Sequence, residues 1–89
     1  NGWVYSSGST TGHGIYMQNA TGYKHVNDNI VFAQLSGFNI HAYTEGGSLR
    51  HIHQRGNVVF QGRFQLGGGT PARDILIEDN HIYDWLQLG

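Results

Sequence analysis

The sequence DNIVF at residues 28–32 returns as GNVVF at 56–60 and as DNHIY at 79–83. In each copy an Asn is followed two residues later by a β-branched aliphatic residue and three residues later by an aromatic residue. The three Asn residues are separated by 28 and 23 residues. A unit that recurs at such a spacing is typical of repeat proteins, in which each unit packs mainly against its neighbours.

Four triplets with the pattern apolar–any–apolar form a second series of nearly the same period. They begin at Ile15, Ile40, Phe64 and Leu86, in steps of 25, 24 and 22 residues. Alternation with a period of two residues is typical of β-strands. The sequence therefore predicts an all-β protein with about three short strands per repeat, stacked so that neighbouring repeats share one core.

The repeated Asn indicates a turn of defined geometry. Asn tolerates the left-handed backbone conformation better than other non-glycine residues, which suits it to tight turns. Stacked one per repeat, Asn29, Asn57 and Asn80 would hydrogen-bond to one another along a column. We expect the aromatic residues of the same repeats to form a second column, whose role is packing.

The Asn-x-[Val/Ile]-aromatic unit occurs together with GHGIYMQN at residues 12–19 and FNIHAY at 38–43. From Gly12 onward this pattern resembles the right-handed parallel β-helix of the pectate-lyase-like superfamily. The resemblance implies a right-handed parallel β-helix of about three and a half coils, each of roughly 22–28 residues. It also implies a secreted, extracellular protein that binds or acts on a polysaccharide, as a lyase or glycoside hydrolase if it is an enzyme.

Composition excludes several classes of protein. The chain has no Cys, which excludes disulfide scaffolds and cysteine-based zinc sites. Its net charge of −1 provides no electrostatic attraction for nucleic acid. No apolar run approaches 18 residues, so no membrane-spanning helix is expected.

The length of 89 residues suggests a single β-helix segment covering residues 1–89. The first residue is Asn and the only Met is Met17, which suggests a processed or excised piece. So few coils would leave the core open at both ends. We therefore expect the segment to belong to a longer solenoid, or to self-associate through its open ends.

The triplets define the predicted first sheet of the coil. In the resembled superfamily this sheet and its loops form the cleft that holds an oligosaccharide. The predicted register places Tyr16, Asn39, His41, Arg63 and Gln65 on its outer face. An exposed patch of an aromatic ring and hydrogen-bonding side chains suits a sugar, with Tyr16, Asn39 and Gln65 as binding residues. The alternative is the ordinary polar outer face of a sheet.

His41 and Arg63 are the candidate catalytic residues. In a lyase reaction Arg63 would hold the carboxylate of a uronic acid while His41 moves the proton. No pair of acidic residues falls on this face, as an inverting hydrolase requires. A calcium-dependent lyase would need a cluster of acidic ligands that this face lacks, so calcium is a possible cofactor, like zinc and copper, without a defined ligand set. The motif around His13, Gly-His-Gly, matches part of a polygalacturonase motif, but Gly-rich turns produce it readily, so we expect His13 to be a loop residue.

The second predicted sheet lies just before each repeated Asn. Its outer face would bring together His25, His51, His53 and Asp74. Imidazoles at alternate strand positions point to one side and, with a carboxylate, can bind zinc or copper. The alternative is a row of neutral surface histidines. Three functions therefore remain open: polysaccharide binding or processing, a structural module that stacks end to end, and a metal-binding surface.

Overall fold

The computed structural model describes residues 12–68 and 71–88, which form ten β-strands. The strands are β1 (Ile15–Met17), β2 (Lys24–Asn27), β3 (Ile30–Phe32), β4 (Phe38–Thr44), β5 (Leu49–Arg55), β6 (Val58–Phe60), β7 (Arg63–Gly68), β8 (Ala72–Glu78), β9 (His81–Ile82) and β10 (Trp85–Leu88). These ranges contain no helix, and hence none that is long and apolar enough to cross a membrane.

The strands form three parallel sheets, each built from every third strand. The first sheet has the order β1-β4-β7-β10, the second β2-β5-β8 and the third β3-β6-β9. Each coil thus contributes one strand to each sheet. The prediction of an all-β parallel solenoid is confirmed, and the structure has about three turns.

The predicted register of the first sheet is also confirmed. Ile15 pairs with Ile40, Ile40 with Phe64, and Phe64 with Leu86. The polar position that follows each of these residues therefore forms a second column on the opposite side of the sheet. That column contains Tyr16, His41, Gln65 and Gln87.

Each coil turns its corners with residues in the left-handed conformation. Between the second and third strands these residues are Asp28, Gly56 and Asp79, with φ between 53° and 69°. The middle coil has glycine at this corner, where the left-handed conformation carries no steric cost, and the other two coils have Asp. Between the third strand and the next coil, Ala33 and Gln61 have φ of 64° and 52°.

The predicted asparagine ladder is present immediately after the first of these corners. The backbone N–H and the side-chain amide of Asn29 both donate to Asn57 Oδ1, each at 3.1 Å. The same two donors of Asn57 reach Asn80 Oδ1 at 2.9 Å. Asn57 is fully buried, so these bonds satisfy polar groups that water cannot reach.

The core is best formed in the middle of the stack. Ile40, Ile52, Val59 and Phe64 are fully buried there. Gln54 is also fully buried, because it occupies an inward position of β5. The inward residues of β10 remain exposed, because no further described strand pairs with this one.

Candidate functional site

The outer face of the first sheet carries the predicted sugar-binding residues, but their exposure differs from the prediction. Tyr16 is 50% exposed, as expected. His41 and Gln65 are each only 8% exposed, and Asn39 is fully buried. The expectation of one continuous exposed polar patch is therefore wrong for three of its five members.

Asn39 is buried because the sheet contains an irregularity at this position. Phe38 pairs with Arg63 and Ile40 with Phe64, so Asn39 is an extra residue in β4. Its side-chain oxygen accepts from the Gln34 N–H at 3.1 Å. Its amide donates to the Phe60 carbonyl at 2.9 Å. Asn39 therefore fastens the corner between two coils, and its amide is not displayed on the outer face.

His41 is enclosed by aromatic rings. Phe38 and Tyr43 stack on it with ring centroids at 4.3 and 5.0 Å. Tyr16 and His13 meet it edge-on at 5.4 and 4.4 Å. His13 lies in the loop before β1, as predicted from its glycine-rich context. Its side chain nevertheless belongs to this cluster, and no local sequence feature indicated that.

A chain of hydrogen bonds assigns the tautomers of the two histidines. The Phe38 N–H donates to His13 Nδ1 at 3.0 Å, so that nitrogen carries no proton. The proton of neutral His13 is then on Nε2, which lies 3.1 Å from His41 Nδ1. His41 Nδ1 accepts this bond, which leaves the His41 proton on Nε2. A backbone amide thus sets the proton positions of two side chains.

The same chain opposes protonation of either ring. The pKa of His41 is lowered to about 4, mainly by burial and also by the neighbouring His13 and Arg63, while a hydrogen bond with Gln65 acts in the opposite direction. Burial and Arg63 also lower the pKa of His13. Both imidazoles are therefore neutral at neutral pH, held by groups that favour the uncharged form.

Arg63 is occupied by the protein itself. Its Nε and Nη2 donate to the Gly37 carbonyl at 3.2 and 3.1 Å, and Nη2 also reaches the Ser36 carbonyl at 3.1 Å. The guanidinium lies 4.3 Å from the Phe38 ring centroid and 5.6 Å from that of Trp85. Arg63 thus binds the backbone of the loop before β4. Because its Nε and Nη2 groups already donate to carbonyls of this loop, fewer of its N–H groups are available to a substrate carboxylate than the sequence predicts.

The second sheet brings the other predicted residues onto one outer face. His51 Nδ1 lies 2.6 Å from Asp74 Oδ2, and His53 Nε2 lies 3.6 Å from Asp74 Oδ1. His25 meets His53 edge-on, with ring centroids 5.3 Å apart. The hydrogen bond from His51 lowers the pKa of Asp74, and His53 acts in the same direction. Asp74 is therefore charged at neutral pH.

The side chains of this face form a hydrogen-bonded cluster. Within residues 12–68 and 71–88, no three His, Asp or Glu side chains are placed to hold a metal ion. The Asp74 oxygen closest to a histidine is engaged in a hydrogen bond with His51. His25, His51, His53 and Asp74 thus share one outer face, and their binding of zinc or copper stays a prediction.

His51 and Asp74 share an unusual backbone conformation. Their φ angles are 55° and 50°, although both residues lie within strands. The flanking residues pair normally, Arg50 with Arg73 and Ile52 with Ile75, so the two left-handed residues lie side by side on adjacent coils. Non-glycine residues in this conformation are uncommon and cluster at functional sites. The alternating, strand-like sequence around these two residues does not predict a left-handed conformation.

No protein-family model, curated protein or solved structure matches this chain. The function must therefore be inferred from the fold and from the outer faces of the first and second sheets. Together they define a parallel β-solenoid whose first sheet has an outer face of aromatic rings, neutral histidines and Arg63, and whose second sheet has a histidine-rich outer face with a charged Asp74.

Proposed function

We propose that this chain is an extracellular carbohydrate-binding β-helix that holds an oligosaccharide on the outer face of its first sheet. The observation that carries this proposal is a pair of exposed aromatic rings at opposite ends of that sheet. Tyr16 on β1 is 50% exposed and Trp85 on β10 is 49% exposed. Aromatic rings offer flat apolar faces with a polar edge, which suits the apolar face of a sugar ring.

The sheet between these rings supplies fixed polar groups. The Tyr16 hydroxyl accepts from the Gln18 amide at 2.8 Å and lies 3.4 Å from the Tyr43 carbonyl, so its ring is held in place. Gln87 on β10 lies in the same column as Tyr16 and is partly exposed, whereas Gln65 on β7 is almost fully buried. With four strands about 4.8 Å apart, the face is long enough for a short oligosaccharide.

The geometry supports binding more strongly than bond cleavage. None of the six acidic residues lies in a strand of the first sheet, so this face lacks the carboxylate pair of a glycosidase. His41, the candidate base of a lyase, is enclosed and has a pKa of about 4. A base with so low a pKa is inefficient near neutral pH.

Calorimetric titration with neutral oligosaccharides tests the proposal. Tyr16→Ala and Trp85→Ala should each weaken binding about tenfold, since each removes about 1.4 kcal/mol of ring contact. Tyr83→Ala is the matched control, because Tyr83 is 59% exposed but follows a strand of the third sheet. Absence of binding at millimolar concentration, or an equal loss in the control, contradicts the proposal.

A structural module remains a second candidate because of one observation. The inward-facing Leu86 and Leu88 of β10 are 43% and 63% exposed. A second copy stacked on this end would cover them by continuing the parallel sheets. Light scattering should then give a mass above 9.9 kDa, and Leu88→Lys should return it to that value. A monomer at all concentrations rules this function out.

A further inference from the structure

The outer face of the third sheet differs from those of the other two sheets. Val31, Val59 and Ile82 are its inward residues, because they pack in the hydrophobic core. The residues on either side of them therefore point outward. These outward residues form two columns, Ile30-Val58-His81 and Phe32-Phe60-Tyr83. Neither column contains Lys, Arg, Asp or Glu, so the face is predominantly apolar.

Apolar side chains of this face are open to solvent. Ile30 on the first coil is 68% exposed, and Tyr83, two coils further along, is 59% exposed. Between them Phe60 is half-buried, and its ring lies parallel to that of Phe32, with centroids 4.9 Å and planes 3° apart. An exposed patch of adjoining apolar side chains is typical of a site that binds another molecule.

Acidic residues lie at both edges of this face. Asp28 and Asp79 are the corner residues that precede the third sheet on the first and third coils, and Asp84 is the corner residue that follows it. All three are exposed. A Cβ atom at Gly56, the equivalent corner of the middle coil, would meet Asp28 Oδ1, so the Asp28 carboxylate lies along this edge. With Glu78 at the end of β8, four of the six acidic residues of the chain adjoin the third sheet.

Only one basic side chain among the described residues offsets these acidic edges. Arg55 Nε lies 3.7 Å from Glu78 Oε2 and 3.9 Å from Asp79 Oδ2. Asp28 and Asp84 form no ion pair with the part of the chain that the structure describes. Four negative charges and one positive charge leave this side of the solenoid with three negative charges, against a net charge of −1 for the whole chain. The face therefore favours an apolar ligand with positive charges at its ends.

The size of the face favours a short peptide over a folded partner. Three residues of a strand span about 10 Å, and the first and third coils lie about 10 Å apart. Stable interfaces between folded proteins bury about 800 Å² on each partner, which is more than such a face offers. A second copy packed symmetrically on it would also bring the acidic edges of the two copies together.

We propose that this face, defined by Ile30, Phe60 and Tyr83 between its acidic edges, binds a short extended peptide in which apolar residues are flanked by Lys or Arg. The apolar side chains of the peptide cover Ile30 and the exposed rings, which removes apolar surface from water. Its terminal positive charges reach the carboxylates at the two edges, which lie about one strand length apart. The site uses a different sheet and a different class of ligand from the proposed carbohydrate site.

Titration of the isotopically labelled chain with three acetylated and amidated peptides, followed by amide chemical shifts, tests this inference. The peptide Lys-Leu-Val-Leu-Lys should bind and shift the amides of β3, β6 and β9. Glu-Leu-Val-Leu-Glu, which reverses the charges, should bind about tenfold more weakly or worse. Lys-Ser-Ser-Ser-Lys, which lacks the apolar side chains, should not bind measurably. Raising the salt concentration should weaken binding of the first peptide.

Two variants separate the apolar and the charged components of the site. Tyr83→Ala removes an exposed ring and should weaken binding of the first peptide about fivefold or more. Asp28→Asn/Asp84→Asn should weaken it about threefold or more, and Asn tolerates the positive φ of both positions. Tyr16→Ala and Glu45→Gln are the matched controls, because each changes an exposed side chain of the first sheet or of the loop after β4. Both controls should bind within about twofold of the parent, and circular dichroism verifies that every variant is folded.

The outcomes separate this site from the first sheet and from self-association. Shifts in the third sheet that are reduced in both test variants support the site. Equal binding of the Lys and Glu peptides, shifts confined to the first sheet, or no shift at millimolar concentration overturns it. A dimer that Tyr83→Ala dissociates, seen by light scattering, shows that a second copy covers the face and also overturns the assignment to a peptide. Sugar binding at the first sheet is independent of these outcomes, so the two proposals can fail separately.

Discussion

Two pairs of side chains in this protein each contain a histidine hydrogen-bonded to a neighbour, and they are opposite in character. His13 and His41 on the first sheet form a neutral pair, with a backbone N–H as the first donor. His51 and Asp74 on the second sheet form a pair with a charged carboxylate as acceptor. The first pair is partly or fully enclosed, whereas the second is open to solvent.

The comparison shows that burial together with the hydrogen-bond partner sets the charge of each site. A donor at the end, such as the Phe38 N–H, requires an unprotonated nitrogen and therefore favours neutral rings. A carboxylate at the end favours a proton on the facing nitrogen. The same residue type thus serves as an uncharged packing group on one sheet and as part of a polar surface on the other.

The largest expected effect is a loss of folding stability at acidic pH. The pKa of His41 is about 4 in the folded protein, against the ordinary value of 6.5 in an unfolded chain. As the pH falls, the unfolded chain therefore binds the proton first. The contribution of neutral His41 to the free energy of unfolding should be fully present above pH 6.5. The free energy of unfolding should then fall by about 3 kcal/mol as the pH approaches 4. Urea unfolding at several pH values measures this. His41→Leu should remove most of the slope, and an unchanged slope refutes the assignment.

The next effect concerns the hydrogen bond from the Phe38 N–H to His13 Nδ1. His13→Ala leaves the Phe38 N–H without its acceptor and should lower the free energy of unfolding by about 1–3 kcal/mol. His13→Asn can supply an oxygen near the position of Nδ1, and should recover part of that loss. Urea denaturation compares the two. If Asn is no better than Ala, the bond to Phe38 does not stabilise the fold.

A third test exploits backbone conformation, which differs between His51 and His41. At His51, with φ of 55°, Gly should be more stable than Ala by about 1 kcal/mol, because Ala is strained in the left-handed region. At His41, in an extended strand, Gly should be less stable than Ala by about 0.5–1 kcal/mol. Thermal unfolding of the four variants should show this reversal of sign, and the same sign at both positions contradicts it.

The smallest effect is expected from Asp74→Asn at neutral pH, because the interaction with His51 is exposed and screened by solvent. Asp74 has a lowered pKa, so its contribution is complete above the ordinary value of 3.8 and is lost only as the pH falls below it. The acid responses of the two sites therefore occupy different pH ranges. Urea unfolding of the parent and of Asp74→Asn between pH 7 and 3 measures this. Both should lose stability in parallel from pH 6.5 to 5 through His41, and a parent–variant difference that changes above pH 5 contradicts the model of two ranges.

The repeat pattern was sufficient to predict the solenoid, the register of the first sheet and the asparagine ladder. These features depend on which residues recur at equal positions in successive coils, and that information is present in the spacing itself. The column of Tyr16, His41 and Gln65 was therefore located correctly.

The exposure of that column was not predictable in the same way. Asn39 is turned into a corner by one extra residue in β4, which the repeat spacing does not distinguish from a change in loop length. His41 is covered by His13, which lies 28 residues earlier in a loop, where a periodic pattern has no information. The clamp formed by Arg63 depends on backbone carbonyl groups of residues 36 and 37, which have no signature in side-chain identity.

The asparagine ladder also gives the solenoid a direction. Both donors of each Asn point to the oxygen of the Asn in the following coil, from Asn29 to Asn57 and from Asn57 to Asn80. The side-chain amide dipoles are therefore aligned head to tail along the axis. A coil added after Asn80 must offer an oxygen, and one added before Asn29 must offer two donors. The two ends of the stack are thus chemically distinct and complementary, so any array built on this ladder grows with a single polarity.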